Sequence, residues 1–142
     1  MVIGIIGESC TGKSTIVKAL EDKIEFTTYS GKDYLKLAGN EMMAKKKFQK
    51  LLAESNDKLI VYIITEIKHL ALLPENAYKV LVTEELEVIK ERFKIRMNGH
   101  LPKPVEMMLE KKHHMFDDYE YDLQLNSCSV EESVSKILSV IK

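Results

Sequence analysis

The chain has 142 residues, 45% of them hydrophobic and 30% charged, and a net charge of −1 at pH 7. That length gives one domain able to bury a core, and the near-neutral balance excludes a global charge attraction to nucleic acid or to a membrane surface. Two cysteines, Cys10 and Cys128, are too few for a disulfide framework and fit a reducing compartment.

Met1-Val2-Ile3-Gly4-Ile5-Ile6 is a short apolar run that reads as a buried parallel strand. It leads directly into a glycine loop, which argues against a signal peptide. No apolar stretch approaches the ~20 residues needed to cross a bilayer, so the expectation is a soluble cytoplasmic protein. Gly7-Glu8-Ser9-Cys10-Thr11-Gly12-Lys13-Ser14-Thr15 follows and has the form G-x-x-x-x-G-K-S, the phosphate-binding P-loop. Its glycines allow a tight turn and close approach of backbone to a phosphate. Its successive N–H groups form an anion nest, and the helix that starts near Lys13 adds a positive dipole end. Lys13 is expected to reach the β- and γ-phosphates of a nucleoside triphosphate, and the Ser14 hydroxyl to ligate Mg²⁺. Ile16, Val17 and Leu20 form the apolar face of that helix.

Ile24–Tyr29 alternates apolar and polar residues and reads as a second strand, broken at Ser30-Gly31. Lys32 to about Ala53 reads as helix, interrupted near Gly39-Asn40. Its Lys45-Lys46-Lys47 run suits a phosphate patch but is expected as a solvated face, and Tyr29 and Tyr34 suit stacking on an acceptor base but are expected as core or rim aromatics. Lys58–Ile64 is apolar without alternation, as in a central strand covered on both sides. Tyr78–Val82 is a fourth strand. Thr83 is placed to cap the next helix, which carries Arg92 and Arg96 one turn apart and ends at Asn98–Pro104. Val105 to about Asp118 reads as helix, with His113, His114, Asp117 and Asp118 as a polar face on which His113 and Asp117 are one turn apart. Tyr121–Leu125 is a last strand, and Ser129-Val130-Glu131-Glu132 is a capping box opening a C-terminal helix. Strands alternating with helices imply a parallel sheet with helices on both faces.

Two acids stand at strand ends, where ligands bind in open parallel sheets. Asp33, just past the second strand, is suited to orienting an acceptor, holding Mg²⁺ through water or acting as base. Glu66, at the end of the third strand, is suited to the metal or base role. They compete for one task, and sequence alone leaves both open.

Three segments resemble the small P-loop kinases, the adenylate, cytidylate and shikimate kinases and their relatives. The first is the P-loop. The second, Ser30–Lys36, is similar to the Gly-Asp-x-Leu-Arg segment that opens the acceptor site, with Lys32 as an extra residue and Lys36 in place of the arginine. The third, Glu91–Arg96 with the proline loop, resembles the Glu-Arg-x-x-x-Arg segment that leads into a mobile lid. The resemblance implies a P-loop NTPase fold with three layers: a five-stranded parallel sheet, helices on both faces and a short lid at about 97–106. It implies that residues 1–142 are a single kinase domain with an acceptor-binding segment at about 30–55. Arg92 would lie against adenine and Arg96 would reach the phosphates, with Asn126 to Cys128 bordering the base. The Asp-Gly-x-Pro-Arg segment of adenylate kinases is absent; Thr65-Glu66-Ile67-Lys68 stands there. The helix after the lid offers Lys111, Lys112 and His113 where arginines are usual, and Lys111 joins Asp33, Lys36 and Arg96 as an acceptor-side candidate. The expected activity is ATP- and Mg²⁺-dependent phosphoryl transfer to a nucleoside monophosphate. The alternatives are a non-nucleotide metabolite as acceptor, as in shikimate kinases, or a nucleotide-binding regulator without turnover.

Overall fold

The computed structural model describes residues 1–141. Five strands, β1 (Val2–Ile6), β2 (Thr27–Ser30), β3 (Ile60–Ile64), β4 (Tyr78–Thr83) and β5 (Leu123–Asn126), form one sheet in the order β2-β3-β1-β4-β5. Every pair is parallel, with Ile3 opposite both Val61 and Tyr78. The continuous apolar runs of β1 and β3 lie at the centre, as strands covered on both faces must.

Helices α1 (Lys13–Glu21) and α5 (Val130–Ile141) cover one face, where Ile16, Val17, Leu20, Val134 and Ile137 meet Ile3, Ile5 and Val61. Helix α2 (Glu41–Ala53) covers the other with two 3-10 turns, Gly31–Leu37 and Ile67–Leu72. There Phe48 packs among Tyr29, Tyr34 and Tyr62, with ring centroids 5.3, 5.9 and 4.9 Å away. Both tyrosines expected as core or rim aromatics therefore belong to this cluster. Helices α3 (Leu86–Arg96) and α4 (Lys103–Lys112) flank the loop 97–102. Lys90 ties them together, with Nζ 2.8 Å from Glu110 and 3.7 Å from Glu106.

Several boundaries differ from the sequence reading for local reasons. β2 starts at Thr27, because Ile24 closes the end of α1 with its N–H on the Leu20 carbonyl. The interruption at Gly39-Asn40 is a helix start, where the Asn40 side chain accepts the Met43 N–H at 2.8 Å. Thr83 does not cap α3. It ends β4 and donates its hydroxyl to Asn126 Oδ1, and Glu85 takes the cap position. Helix α4 stops at Lys112 and the chain turns at His114, whose φ is 68°. Ser129 does cap α5, accepting the Glu132 N–H at 3.1 Å. No helix among the described residues is long and apolar enough to cross a membrane.

Candidate nucleotide site

In this strand order β1 lies between β3 and β4, and the chain leaving β1 (α1) packs on one face while the chain leaving β3 (Ile67–Leu72) packs on the other. The crevice at the strands' carboxyl ends is where such sheets bind ligands. The loop Gly7–Gly12 occupies it, anchored by the Gly7 N–H on the Ile64 carbonyl at 3.0 Å. Gly7 is obligatory, because a Cβ there would stand 2.4 Å from the Val82 carbonyl oxygen. Gly12 has φ 99°, a left-handed conformation that lets the chain enter α1. Cys10 is also left-handed, at φ 64°.

The loop floors a cleft of about 490 Å³. Ser9 to Thr15 form the floor, Ser30, Gly31, Ile63 and Thr65 one wall, and Arg92, Arg96 and Cys128 the other. Lys13 is 6% exposed, and its ammonium donates to the Glu8 carbonyl at 2.6 Å. Burial lowers its pKa to about 8, and the Arg96 charge adds to that depression against the opposing fields of Cys10 and Glu8. Ser14 and Thr15 are exposed in the first turn of α1.

Arg92 and Arg96 both face the cleft, as their spacing predicts. Arg92 does not pair with a glutamate one turn away. One of its guanidinium nitrogens donates to the Cys10 carbonyl at 3.0 Å and the other lies 3.4 Å from Glu84, in the β4–α3 connection. It thereby pins the P-loop to α3. The Arg96 guanidinium lies 5.6 Å over the Phe93 ring.

The Glu8 side chain turns away from the cleft. Its Oε1 lies 2.9 Å from His113 Nδ1, and its Oε2 accepts the His114 backbone N–H at 3.0 Å. His114, rather than His113, pairs with Asp117, at 3.0 Å. This tie between the P-loop and the end of α4 joins residues more than 100 positions apart, so no local pattern could signal it. Among the described residues no group of three or more histidine, cysteine or acidic side chains is arranged to hold a metal.

Apart from Cys128, the remaining candidates lie around the cleft rather than on its walls. Asp33 accepts the Ser30 N–H at 2.9 Å and so serves its own turn. Glu66 is half exposed directly after the cleft residue Thr65, and among the described residues its carboxylate accepts no hydrogen bond. Lys36 and Lys111 are exposed and outside the cleft lining. Asn126 is held by Thr83 and borders a neighbouring hollow with Glu8 and His113, whereas Cys128 lines the cleft itself.

Neither a family model nor a curated protein matches the sequence. Solved structures do match its shape. The YorR protein of Bacillus subtilis, in complex with phosphorylated GDP, is 18% identical with a TM-score of 0.69 over 99% of this chain and 95% of that one. A shikimate kinase of Acinetobacter baumannii in complex with shikimate is 14% identical with a TM-score of 0.65, over 99% and 92% of the two chains. A sugar kinase of a Janibacter species is 14% identical, also at 0.65, over 99% and 93%. At these identities the likeness is one of architecture: the chain has the fold of the small P-loop kinases, the group its motifs resemble.

Proposed function

We propose that the protein transfers a phosphoryl group from ATP to a small acceptor. The observation that carries this reading is the buried Lys13 at the floor of a cleft that Arg92 and Arg96 also face. Phosphoryl transfer asks for positioning and charge neutralisation rather than covalent chemistry, and such a constellation supplies both. Loop N–H groups and Lys13 bind the β- and γ-phosphates. Arg92 braces the loop, Cys128 borders the base, and Arg96 reaches the phosphate that moves. Ser14 offers a free hydroxyl in the first helical turn, a hard oxygen donor that fits Mg²⁺. Mg²⁺, when bound there, neutralises phosphate charge.

The acceptor then sits on the wall of Ser30, Gly31, Ile63 and Thr65, beside Asp33 and Glu66. That wall has no cationic side chain, which favours a hydroxyl-bearing metabolite. A nucleoside monophosphate, the acceptor the sequence motifs put first, would draw its phosphate contacts from Arg96, Lys36 or Lys111. With Asp33 engaged by Ser30, Glu66 is the acid left to take the acceptor proton. The test is ADP release from Mg-ATP across nucleoside monophosphates and small hydroxylated metabolites, with Lys13→Ala as control. Release that depends on Lys13 and on one acceptor supports the kinase and names its class. ATP binding without release under any acceptor replaces it with a nucleotide-binding regulator.

A further inference from the structure

Four polar or charged side chains are buried among the described residues: Thr11, Lys13, His69 and Ser133. Three have hydrogen-bond partners within 3.0 Å: Thr11 and Lys13 on the Glu8 carbonyl, and Ser133 on that of Ser129. His69 has none at either ring nitrogen, although it is only 1% exposed. An unpaired buried polar group costs stability, so its retention calls for a reason.

His69 lies in the 3-10 turn behind the acceptor wall. Its ring is 5.7 Å from that of Tyr34 and 6.4 Å from that of Tyr62. Both phenols are engaged elsewhere, Tyr62 donating to the Gly31 carbonyl at 2.7 Å and Tyr34 to Glu41 at 3.4 Å. Among the described residues the one carboxylate near the imidazole is that of Glu66, with Oε2 3.8 Å from Nδ1. The His69 backbone N–H already bonds the Glu66 carbonyl at 3.1 Å, so the two residues share one turn.

We propose that His69 is a positioning residue that holds the Glu66 carboxylate toward the acceptor hydroxyl. This rests on the reading of Glu66 as the acceptor-side acid. A glutamate as exposed as Glu66 samples many rotamers, whereas a base must lie within hydrogen-bond reach of the proton it takes. A small side-chain rotation brings Oε2 onto the Nδ1–H of a neutral imidazole, fixing one oxygen and leaving the other for the acceptor. In the transfer the acceptor oxygen bonds to the γ-phosphorus and the bond to the β,γ-bridging oxygen breaks. ADP leaves with that electron pair, and the acceptor proton passes to Glu66. His69 stays neutral throughout. Burial lowers its pKa, and Lys68 on its own turn, Lys32 on the Gly31–Leu37 turn and Lys45 on α2 add to this against the opposing charge of Glu66.

Four variants and one spectrum test this. Replacing His69 by Phe keeps the ring volume and removes the unpaired nitrogens. The expected result is a Tm equal to or above wild type, a kcat roughly 10- to 100-fold lower and an unchanged KM for ATP. His69→Asn, whose amide nitrogen overlays Nδ1, recovers part of the loss, whereas His69→Gln, which overlays Nε2, does not. A His69→Phe enzyme with wild-type kcat, or equal losses for Asn and Gln, overturns the proposal. Nitrogen-15 spectra of the chain's four histidines, with His69 assigned from its variants, give a readout independent of turnover. We expect the Nδ1–H tautomer, with shifts that move in Glu66→Gln. An Nε2–H tautomer, or shifts indifferent to Glu66, refutes the pairing even if the kinase reading holds. Transfer that does not depend on Lys13 refutes the kinase reading while the spectra still decide the pairing.

Discussion

A depressed lysine at the floor of an anion site makes nucleotide affinity pH-dependent in a calculable way. With a pKa of about 8, Lys13 is about three-quarters charged at pH 7.5, about one-quarter at 8.5 and a few per cent at 9.5. Phosphate beside the ammonium raises its pKa in the complex, so binding at alkaline pH must draw in a proton. MgADP affinity should therefore fall about 20- to 30-fold between pH 7.5 and 9.5, approaching tenfold, or about 1.4 kcal/mol, per pH unit. Titration calorimetry in two buffers of different ionisation enthalpy reads the proton count directly. Uptake should be about 0.2 proton at pH 7.5 and should approach one at 9.5. In Lys13→Arg, whose guanidinium stays charged, it should vanish. A flat wild-type affinity up to pH 9.5, or uptake unchanged in Lys13→Arg, would refute the assignment. Folding carries the opposite sign. The folded-state pKa lies below the unfolded 10.5, so between about 8 and 10.5 the unfolded chain holds more protons and stability rises with pH. At neutral pH the buried charge costs about 3 kcal/mol. Lys13→Met should thus be the more stable protein at pH 7, losing that advantage above pH 10.5. The Glu8 carbonyl would keep its bond from Thr11.

Other substitutions separate the roles of neighbouring groups. Gly7→Ala places a Cβ against the Val82 carbonyl; stability should drop by about 1–3 kcal/mol, and the rise in Tm on adding Mg-ATP should disappear. Arg96→Ala should lower kcat by about 10²- to 10³-fold in steady-state assays with little change in ATP binding. Arg92→Ala, which frees the Cys10 carbonyl from α3, should act chiefly on the dissociation constant for ATP. Phe48→Ala opens the tyrosine cluster on the α2 face; denaturant unfolding should report a loss of about 3–5 kcal/mol, and a loss below about 1 kcal/mol would contradict the packing described.

What sequence disclosed about the fold followed the range of the interactions involved. The apolar runs at Val2–Ile6 and Ile60–Ile64 are buried on both faces, so their composition identified the central strands directly. The edge strand β2 begins three residues later than its sequence pattern predicts, because Ile24 and Phe26 are apolar for another reason: they pack against the α1–α5 layer before the strand begins. Thr83 illustrates the same limit at a helix start. A threonine before two glutamates suits a cap, but pairing with Asn126, 43 positions away, extends β4 through it and moves the cap to Glu85.

The two halves of the candidate site differ in the same way. The donor half is nearly continuous in sequence: one loop and one helix turn supply Gly7 through Thr15, and two arginines at helical spacing supply the opposing wall, so chemistry and spacing could be read together. The proposed acceptor half is assembled from the ends of β2 and β3 and from turns that follow them. There a residue's type says little until its partners are known. Asp33 had the same claim on catalysis as Glu66 until the Ser30 N–H occupied its carboxylate. His69 gave no signal in Glu66-Ile67-Lys68-His69-Leu70, a stretch without a motif, and its interest comes entirely from what surrounds it: two engaged phenols, three lysines at a distance and one uncommitted carboxylate. Charge-rich motifs that grip a triphosphate are therefore legible from order alone. In the proposed kinase, selection of the acceptor rests on which polar groups the fold leaves unpaired, and that becomes visible only once every other hydrogen bond has been accounted for.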